Sequence, residues 1–289
     1  LLSRKEPTWV LVSDDKPEYL EQGAVVMCDH ELLQRQMKRM RPDLRLERME
    51  ETVQRLNAQA SVAELDEEDI WPWIEEQRLE GHLDGFIVPR AIHAGHRMKG
   101  RRHTLGLQRD QTESNRERFI PPPLHGFTLL VSRKGFPKNS VRNMLDPSAE
   151  LAYRLEASLM ESIDPKLKPI VGAYIEQRKI STLLKKASEA GDETLLDTLV
   201  DPNKKRAAHK SGPRVEMLIE TLTSDGTVTA ACERIVQPEN SQMGLVTLLR
   251  EFMDLLAVMT TDHEETKRNI PGMPASFMEP RPRLMDLDD

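Results

Sequence analysis

Strand-like runs alternate with helix-like segments along the first ninety residues, and this alternation limits the fold more than any other feature of the sequence. The strand-like runs, each bounded by polar turn residues, are found at residues 8–12, 24–27, 44–49 and 83–88. After the second run, apolar residues recur at helical spacing up to Met40, with Asp29 placed to cap the helix and Pro42 beyond its end. Strands and helices in this order predict an α/β layer with a mainly parallel sheet.

The middle of the chain shows two further patterns. Between residues 93 and 118 the composition becomes basic and polar, which predicts a loop or an irregular helix. Residues 127–132, which run from Phe127 to Ser132, are rich in β-forming side chains and predict a strand.

The C-terminal half predicts a helix followed by a small antiparallel unit. Asp146 is placed to cap a helix that begins at Pro147, and its buried stripe is predicted to consist of Leu151, Leu155, Leu159 and Ile163. Strands are predicted at 170–175, 215–221 and 227–236, and a last helix at 242–259. Asp225-Gly226 between two β-forming runs is a strong hairpin signal. The tail at 260–289, rich in proline and charge, is predicted to be disordered.

Charge and hydropathy exclude two classes of partner. The 41 Lys and Arg residues are outnumbered by 48 Asp and Glu residues, so the net charge of −7 gives no broad basic field for nucleic acid. No apolar run approaches the ~20 residues that a membrane-spanning helix needs. These features predict a cytoplasmic protein that binds neither nucleic acid nor a membrane.

Cysteine and histidine spacing predicts no metal site. Cys28 and Cys232 are far apart and belong to no Cys/His ligand pattern, so each is interpreted as a buried thiol. His93, His96 and His103 lie in the basic segment without a supporting carboxylate, which favours a solvated loop over a metal site.

A motif in the first α/β unit carries a resemblance to a known family. From Gly23 the chain reads Gly-Ala-Val-Val-Met-Cys-Asp-His-Glu-Leu-Leu-Gln, and it continues to Arg41-Pro42-Asp43-Leu44. This stretch resembles the second domain of the hydroxymethylbilane synthase (porphobilinogen deaminase) family, which reads Gly-x-Val-Val-Gly-Thr-Ser-Ser-Leu-Arg-Arg-Gln and ends in Arg-Pro-Asp-Leu at equal spacing. The resemblance continues in order at residues 81–88, 118–126, 169–174 and 224–234.

The resemblance implies a fold and a domain division. The expected fold is α/β, with a periplasmic-binding-protein-like second domain, a remnant of the first domain and a small α+β C-terminal domain. In chain order these are the domain-2-like part at 1–117, the returning segment of domain 1 at 118–145, the domain-3-like part at 146–259 with an insertion at 178–213, and the tail at 260–289. The first half of domain 1 aligns upstream of Leu1.

The resemblance also implies a chemistry, and the residues at the matching positions depart from it. The family joins four porphobilinogen units on a dipyrromethane cofactor, and a cleft lined by arginines holds the many carboxylates of the growing chain. The family's cleft positions fall here, in chain order, on Asp29, His30, Leu32, Leu33, Glu50 and Arg55. Leu32 and Leu33 replace an arginine pair, and Glu50 replaces an arginine by a carboxylate that repels carboxylates.

The attachment point of the cofactor is changed as well. The cysteine that bonds the family's dipyrromethane falls on Leu167 or Lys168, and neither side chain can form the thioether. The expectation is therefore that the chain carries no cofactor and no catalytic residue of the family.

These observations predict a hydroxymethylbilane synthase family protein of tetrapyrrole biosynthesis whose catalysis is degenerate, a pseudoenzyme of a transferase. Two alternatives stay open: a non-enzymatic scaffold or regulatory protein, and one half of a split deaminase. A partner chain or a second copy is expected at one of two places. These are the strand at 127–132, whose edges would lie open, and the pair Trp71 and Trp73, for which local packing is the other interpretation.

Overall fold

Two β-sheets organise this mixed α/β chain, and helices pack on both. The computed structural model describes residues 1–5, 7–107, 118–191, 193, 196, 199, 212–261 and 283–287. Within these residues, no helix has both the length and the apolar character needed to cross a bilayer.

The first sheet has five strands in the order β3-β2-β4-β1-β5. They are β1 (Trp9–Ser13), β2 (Val25–Met27), β3 (Arg45–Glu47), β4 (Gly85–Pro89) and β5 (Arg102–Leu105). The four strands predicted from the apolar runs are present. The sheet is mixed rather than mainly parallel, because β1 runs antiparallel to both β4 and β5. Strand direction has no signature in a short apolar run, so the sequence could not provide it.

β5 corrects a second expectation, since it lies inside the segment interpreted as a loop or irregular helix. Leu105 is the one buried residue of this edge strand, and the other three side chains are at least partly exposed. A strand of this kind has no apolar run to detect. The last three residues of a short helix, described next, also lie in this segment.

Five helices connect these strands. They are α1 (Glu31–Met40), α2 (Met49–Arg55), α3 (Gln59–Ala63), α4 (Glu67–Leu79) and α5 (Arg90–Gly95). The residue that precedes α1 is His30, and its side chain makes no capping bond. Asp29, the predicted cap, instead accepts a hydrogen bond from the Met49 N–H at 3.2 Å, so it ties the start of α1 to the start of α2.

Helix α4 contains Trp71 and Trp73. Pro72 lies inside it as its sixth residue, where it removes one backbone donor from the helix. Trp71 and Trp73 are partly buried against the core formed by β1, β4 and the buried Ile74. Local packing therefore accounts for part of the surface of both indoles.

The predicted strand at 127–132 is absent. Its backbone makes no ladder with another strand; near it, the Leu2 N–H donates to the Thr128 carbonyl and the Lys5 N–H to that of Gly126. Phe127 is partly buried against the core of the second sheet, whereas Leu129, Leu130 and Val131 are exposed, and 95% of the Val131 surface is accessible to solvent. The run has the composition of a strand but, among the described residues, lacks a neighbouring strand with which to pair.

The second sheet is antiparallel and has the order β6-β7-β8. Its strands are β6 (Val171–Arg178), β7 (Arg214–Leu222) and β8 (Thr229–Val236). Helices α6 (Pro147–Ser162), α7 (Ile180–Ala190) and α8 (Ser241–Thr260) belong to the same half of the chain. α6 and α8 share one apolar core with the sheet. The predicted cap is confirmed, because Asp146 accepts the backbone N–H groups of Ser148 and Ala149.

The hairpin turn between β7 and β8 packs against α1 and so joins the two halves. Gly226 has a φ of +72°, as the predicted turn requires. A Cβ atom added there would lie 2.5 Å from the Arg39 nitrogen and 2.6 Å from the Arg35 oxygen. Beside this contact, Gln36 Nε2 donates to Glu220 Oε1 at 2.8 Å, with both side chains buried.

The C-terminal tail corrects the expectation of disorder over the whole of 260–289. Residues 283–287 are ordered against the second half, and the remaining residues after 261 lie outside the described part of the chain. Met285 is 1% exposed in the core of α6, α8 and the second sheet, and its N–H donates to the Met259 carbonyl at 2.9 Å. A single methionine among prolines and charged residues forms no periodic pattern, so its burial could not be predicted from the sequence.

We expect Met285→Ala to lower the free energy of unfolding by about 2–4 kcal/mol, because it removes a fully buried side chain and leaves a cavity. Urea denaturation followed by circular dichroism measures the change. The matched control is Leu284→Ala, since Leu284 is 59% exposed and its truncation should cost under about 0.5 kcal/mol. Equal losses in the two variants would contradict the docking of the tail through Met285.

Candidate functional site

The carboxyl edge of the parallel strands is the place to look for a site, because open α/β sheets bind ligands there. The residues after β2 at this edge are Cys28, Asp29 and His30, and α1 begins immediately afterwards. β1 runs in the opposite direction, so its first residue, Trp9, lies at the same edge, opposite Pro89 of β4.

Trp9 lies between two histidines. The Trp9 and His125 rings are stacked with centroids 5.2 Å apart, and the His30 ring meets Trp9 edge-on at 5.5 Å. Burial lowers the pKa of both histidines below the usual value, and for His125 the nearby His30 and Arg4 lower the pKa further. Both imidazoles are therefore neutral at pH 7. The cluster joins the first sheet to the segment after residue 118.

Leu32 and Leu33, which stand at the positions of the family's arginine pair, lie in the core. Leu32 and Leu33 are 0% and 1% exposed, and Leu33 packs with the apolar residues of β1 and β2. Gln34, the next residue, donates its amide to the Cys28 carbonyl at 2.7 Å. Leu32 and Leu33 therefore contribute to stability, and neither faces a ligand.

The two charged positions after β3 are also unable to form a carboxylate clamp. The Arg55 guanidinium donates to both carboxylate oxygens of Glu47, at 3.0 and 2.9 Å, and to the His82 carbonyl at 3.1 Å. Its Nε and Nη2 groups are thus occupied by partners within the protein. Glu50 is exposed on the first turn of α2.

A pocket of about 490 Å³ opens between the end of β2 and helices α2, α4 and α5. We call it the tryptophan pocket, because Trp71 lines it together with Asp29, Met49, Ile92 and other residues. Of the positions that the family resemblance picks out, the structure places Asp29 here.

The two positions aligned with the cofactor cysteine lie in the other half of the chain. Leu167 packs against the core of the second sheet, and Lys168 begins the 3₁₀ turn Lys168–Ile170. This turn contacts α1, which carries the arginine-pair positions. Neither residue lines the tryptophan pocket.

Neither cysteine has the environment of a nucleophile. Cys28 is fully buried, and burial raises the pKa of its thiol to about 12. Cys232 is half-buried on β8, and burial again raises the pKa of the thiol. A thiol with a raised pKa is protonated at pH 7 and is a poor nucleophile. Within the described part of the chain, no group of three His, Cys, Asp or Glu side chains could hold a metal ion, and His93 is buried with its Nε2 3.3 Å from the Gly100 carbonyl.

A buried ion pair that sequence reasoning missed lies at the junction of the two halves. Arg4 Nη1 and Nη2 donate to Glu156 Oε1 and Oε2 at 2.7 and 3.1 Å. The same carboxylate accepts the backbone N–H groups of Ile175 and Leu124 at 2.9 and 2.6 Å. Burial raises the pKa of Glu156, and the four donors oppose this shift. The partners are 152 residues apart, so no local pattern connects them.

The guanidinium of Arg4 is held on all sides. It donates to the carbonyls of His125 and Ile175 and lies over the rings of Phe127 and Tyr174, 4.1 and 4.7 Å from their centroids. A polar cavity of about 420 Å³ opens beside it, between the N-terminal segment, α6 and β6. Because every donor of Arg4 has a partner within the protein, its role is to join segments.

No protein-family model matches the chain, and no curated protein matches it. Its function therefore has to come from the geometry of the site and from the motifs of the sequence.

We expect Glu156→Gln to lower the free energy of unfolding by about 3 kcal/mol or more, because it leaves the buried Arg4 charge without its counter-ion. Urea denaturation at pH 7 measures the loss. Glu150→Gln is the control: Glu150 is exposed on the same helix, and its replacement should cost under about 0.5 kcal/mol. A loss below about 1 kcal/mol at Glu156 would refute the importance of the pair.

The histidine–tryptophan cluster makes stability depend on pH. The folded protein binds protons at His30 and His125 less readily than the unfolded chain, so stability falls as the pH drops below about 6.5, the usual histidine pKa. The slope is at most about 1.4 kcal/mol per pH unit for each proton. We expect His125→Phe, which keeps a stacking ring, to reduce the loss between pH 7.5 and 5.5.

Urea midpoints at the two pH values measure this difference. The control is His82→Phe, at a half-exposed imidazole outside the cluster, which should leave the loss unchanged. An unaltered pH dependence in His125→Phe would show that the cluster does not control acid stability.

Proposed function

We propose that this chain is a divergent member of the hydroxymethylbilane synthase family and that it serves tetrapyrrole biosynthesis without catalysing the family's reaction. Support for the family comes from five collinear motifs, and their elements follow one another in the order that the resemblance implies. A mixed α/β unit that starts with the antiparallel β1 is followed by an α+β unit that starts with the capped helix α6. The finer proposals, a periplasmic-binding-protein-like second domain and a cytoplasmic location, belong to the same hypothesis.

The observation that carries the loss of catalysis is the burial of Leu32 and Leu33. A cleft that holds a polycarboxylate needs guanidinium groups that face the ligand. Here the two matching side chains are aliphatic and belong to the core below the cleft. Restoring arginine at these positions would place charge in an apolar core, so single substitutions cannot recover the site.

Three further positions, Arg55, Leu167 and Lys168, agree with this proposal. The Arg55 Nε and Nη2 groups donate to Glu47 and to the His82 carbonyl, so these donors are occupied within the protein. Leu167 and Lys168 supply no thiol for the cofactor, and the buried Cys28 on the opposite half has a pKa that disfavours the thiolate.

A second candidate function is that of a scaffold or regulatory subunit, and the exposure of residues 129–131 favours it. Leu129, Leu130 and Val131 are consecutive apolar residues with about half or more of their surface open to solvent. Exposed apolar runs of this kind mark places where another chain binds. The first half of domain 1 or a complete family enzyme would be a partner of the right kind, and the former would make this chain one half of a split deaminase.

Mass spectrometry and an activity assay test the primary proposal together. We expect the intact purified chain to have the mass of its polypeptide alone, because Leu167 and Lys168 cannot form the thioether. We also expect no consumption of porphobilinogen and no linear tetrapyrrole. An adduct of two pyrrole units on Cys28 or Cys232, or turnover by the isolated chain, would overturn the degenerate-enzyme interpretation.

A genetic measurement tests the pathway. Deleting the gene should raise the porphobilinogen pool or lower the porphyrin content of the cells, and the Val131→Lys chain should fail to restore either if partner binding at 129–131 is the function. Unchanged porphobilinogen and porphyrin levels after deletion would contradict a role in tetrapyrrole biosynthesis.

A further inference from the structure

The tryptophan pocket combines an apolar interior with a negative rim. Its inner wall includes Trp71 and Ile74 of α4 and Met49 of α2, and Ile74 is almost completely buried. Its volume of about 490 Å³ falls in the range of small-molecule sites, about 300–1,000 Å³. The pocket is therefore large enough to enclose an aromatic or branched aliphatic group.

The charge at the rim comes from two carboxylates. Asp29 and Glu68 line the pocket, His96 is the other titratable group of the lining, and no lysine or arginine is among the described lining residues. The bond from the Met49 N–H holds the Asp29 carboxylate at the pocket. The nearby Arg48 is occupied by Glu31, 3.5 Å away.

On the α4 side the surroundings strengthen this negative field, whereas on the α5 side the lining residue His96 belongs to the basic segment that begins at residue 93. Glu68 belongs to the segment 64–80, which has eight acidic residues and one basic residue. That basic residue, Arg78, is buried and paired with Asp14 at 2.8 Å. An anionic ligand would thus meet repulsion at the rim, and a cationic one attraction.

We propose that the tryptophan pocket binds a small molecule with an apolar body and a single ammonium group. The apolar body occupies the space beside Ile74 and Met49, and the ammonium group lies between Asp29 and Glu68. An indole is the aromatic side chain that attracts a cation best, so Trp71 contributes to both parts of the ligand. This inference uses neither the family resemblance nor the proposed function.

Three probes with the same body and different head groups test the proposal on the full chain. They are 4-phenylbutylamine, 4-phenylbutanol and 4-phenylbutanoate, each titrated by isothermal calorimetry at pH 7 and low salt. We expect the amine to bind at least about tenfold more tightly than the alcohol, since two carboxylates contribute. The carboxylate should bind more weakly than the alcohol. Equal affinities, a preference for the carboxylate, or no binding of the amine would overturn the proposal.

Matched variants locate the site. Asp29→Asn and Glu68→Gln should each weaken binding of the amine about fivefold and leave the alcohol unchanged. Asn keeps an oxygen for the Met49 N–H, so the fold of the loop is preserved. Glu64→Gln removes an exposed acid of the same segment outside the pocket and should leave all three affinities unchanged.

Trp71→Leu tests the aromatic wall and should weaken the binding of all three probes. Circular dichroism of this variant shows whether it is folded, and the two rim variants provide the test if it is not. If the affinity for the amine is unchanged in both Asp29→Asn and Glu68→Gln, the probe binds elsewhere and the assignment is refuted. If the chain binds an apolar lysine-containing peptide but not the amine, the proposal is likewise refuted, and a protein partner is favoured.

Discussion

The buried pair of Arg4 and Glu156 is the interaction on which the arrangement of the two halves depends. Its carboxylate collects donors from the N-terminal segment, from Leu124 and from β6, so three separate stretches of chain converge on one side chain. Leu124 has a φ of +64°, a conformation that a leucine seldom adopts, and its N–H is directed at this carboxylate. Once Arg4 is fixed, Trp9 five residues later has little freedom, and the stack on His125 completes the connection.

A second buried carboxylate also joins the two halves, on the other side of the junction. Glu220 of β7 accepts hydrogen bonds from Gln36 and Arg39 of α1. Buried charges cost desolvation energy, and apolar packing alone could hold two surfaces together at less expense. The charged groups fix the relative orientation of the two surfaces, because a carboxylate accepts hydrogen bonds only in defined directions. The orientation of α1 against the second sheet is set in this way.

The sequence predicted those elements whose signals are local. Helix α6 has its own cap at Asp146 and its own buried stripe, and the β7–β8 hairpin has its own turn at Asp225-Gly226, so both could be identified without knowing the rest of the fold. The direction of β1, the edge strand β5 and the docking of Met285 depend on partners distant in sequence. The segment 127–132 shows the opposite case: its local composition predicts a strand, but a β-forming segment becomes a strand only where a neighbouring strand can pair with it.

The same distinction between local and long-range signals applies to the candidate site. The resemblance located the loop after β2 and the change of chemistry at Leu32, Leu33 and Glu50, because aligned positions are read directly from the chain. It could not show that Arg55 pairs with Glu47, or that Asp29 belongs to a pocket with Trp71, since these contacts are made by tertiary structure. The acidic segment 64–80 was the available clue, and it acquires meaning only when α4 is placed beside the end of β2.

The contact at Gly226 fixes the position of α1 against the hairpin of the second sheet. The helix is about 15 Å long, with the hairpin turn pressed on the backbone of Arg35 and Arg39 near one end and with Asp29 just before the other. α1 therefore connects the backbone contact with the hairpin turn to the loop that carries Asp29, which lines the tryptophan pocket. The packing of the C-terminal hairpin thus fixes the position of a helix that begins directly after the pocket-lining loop of the N-terminal half.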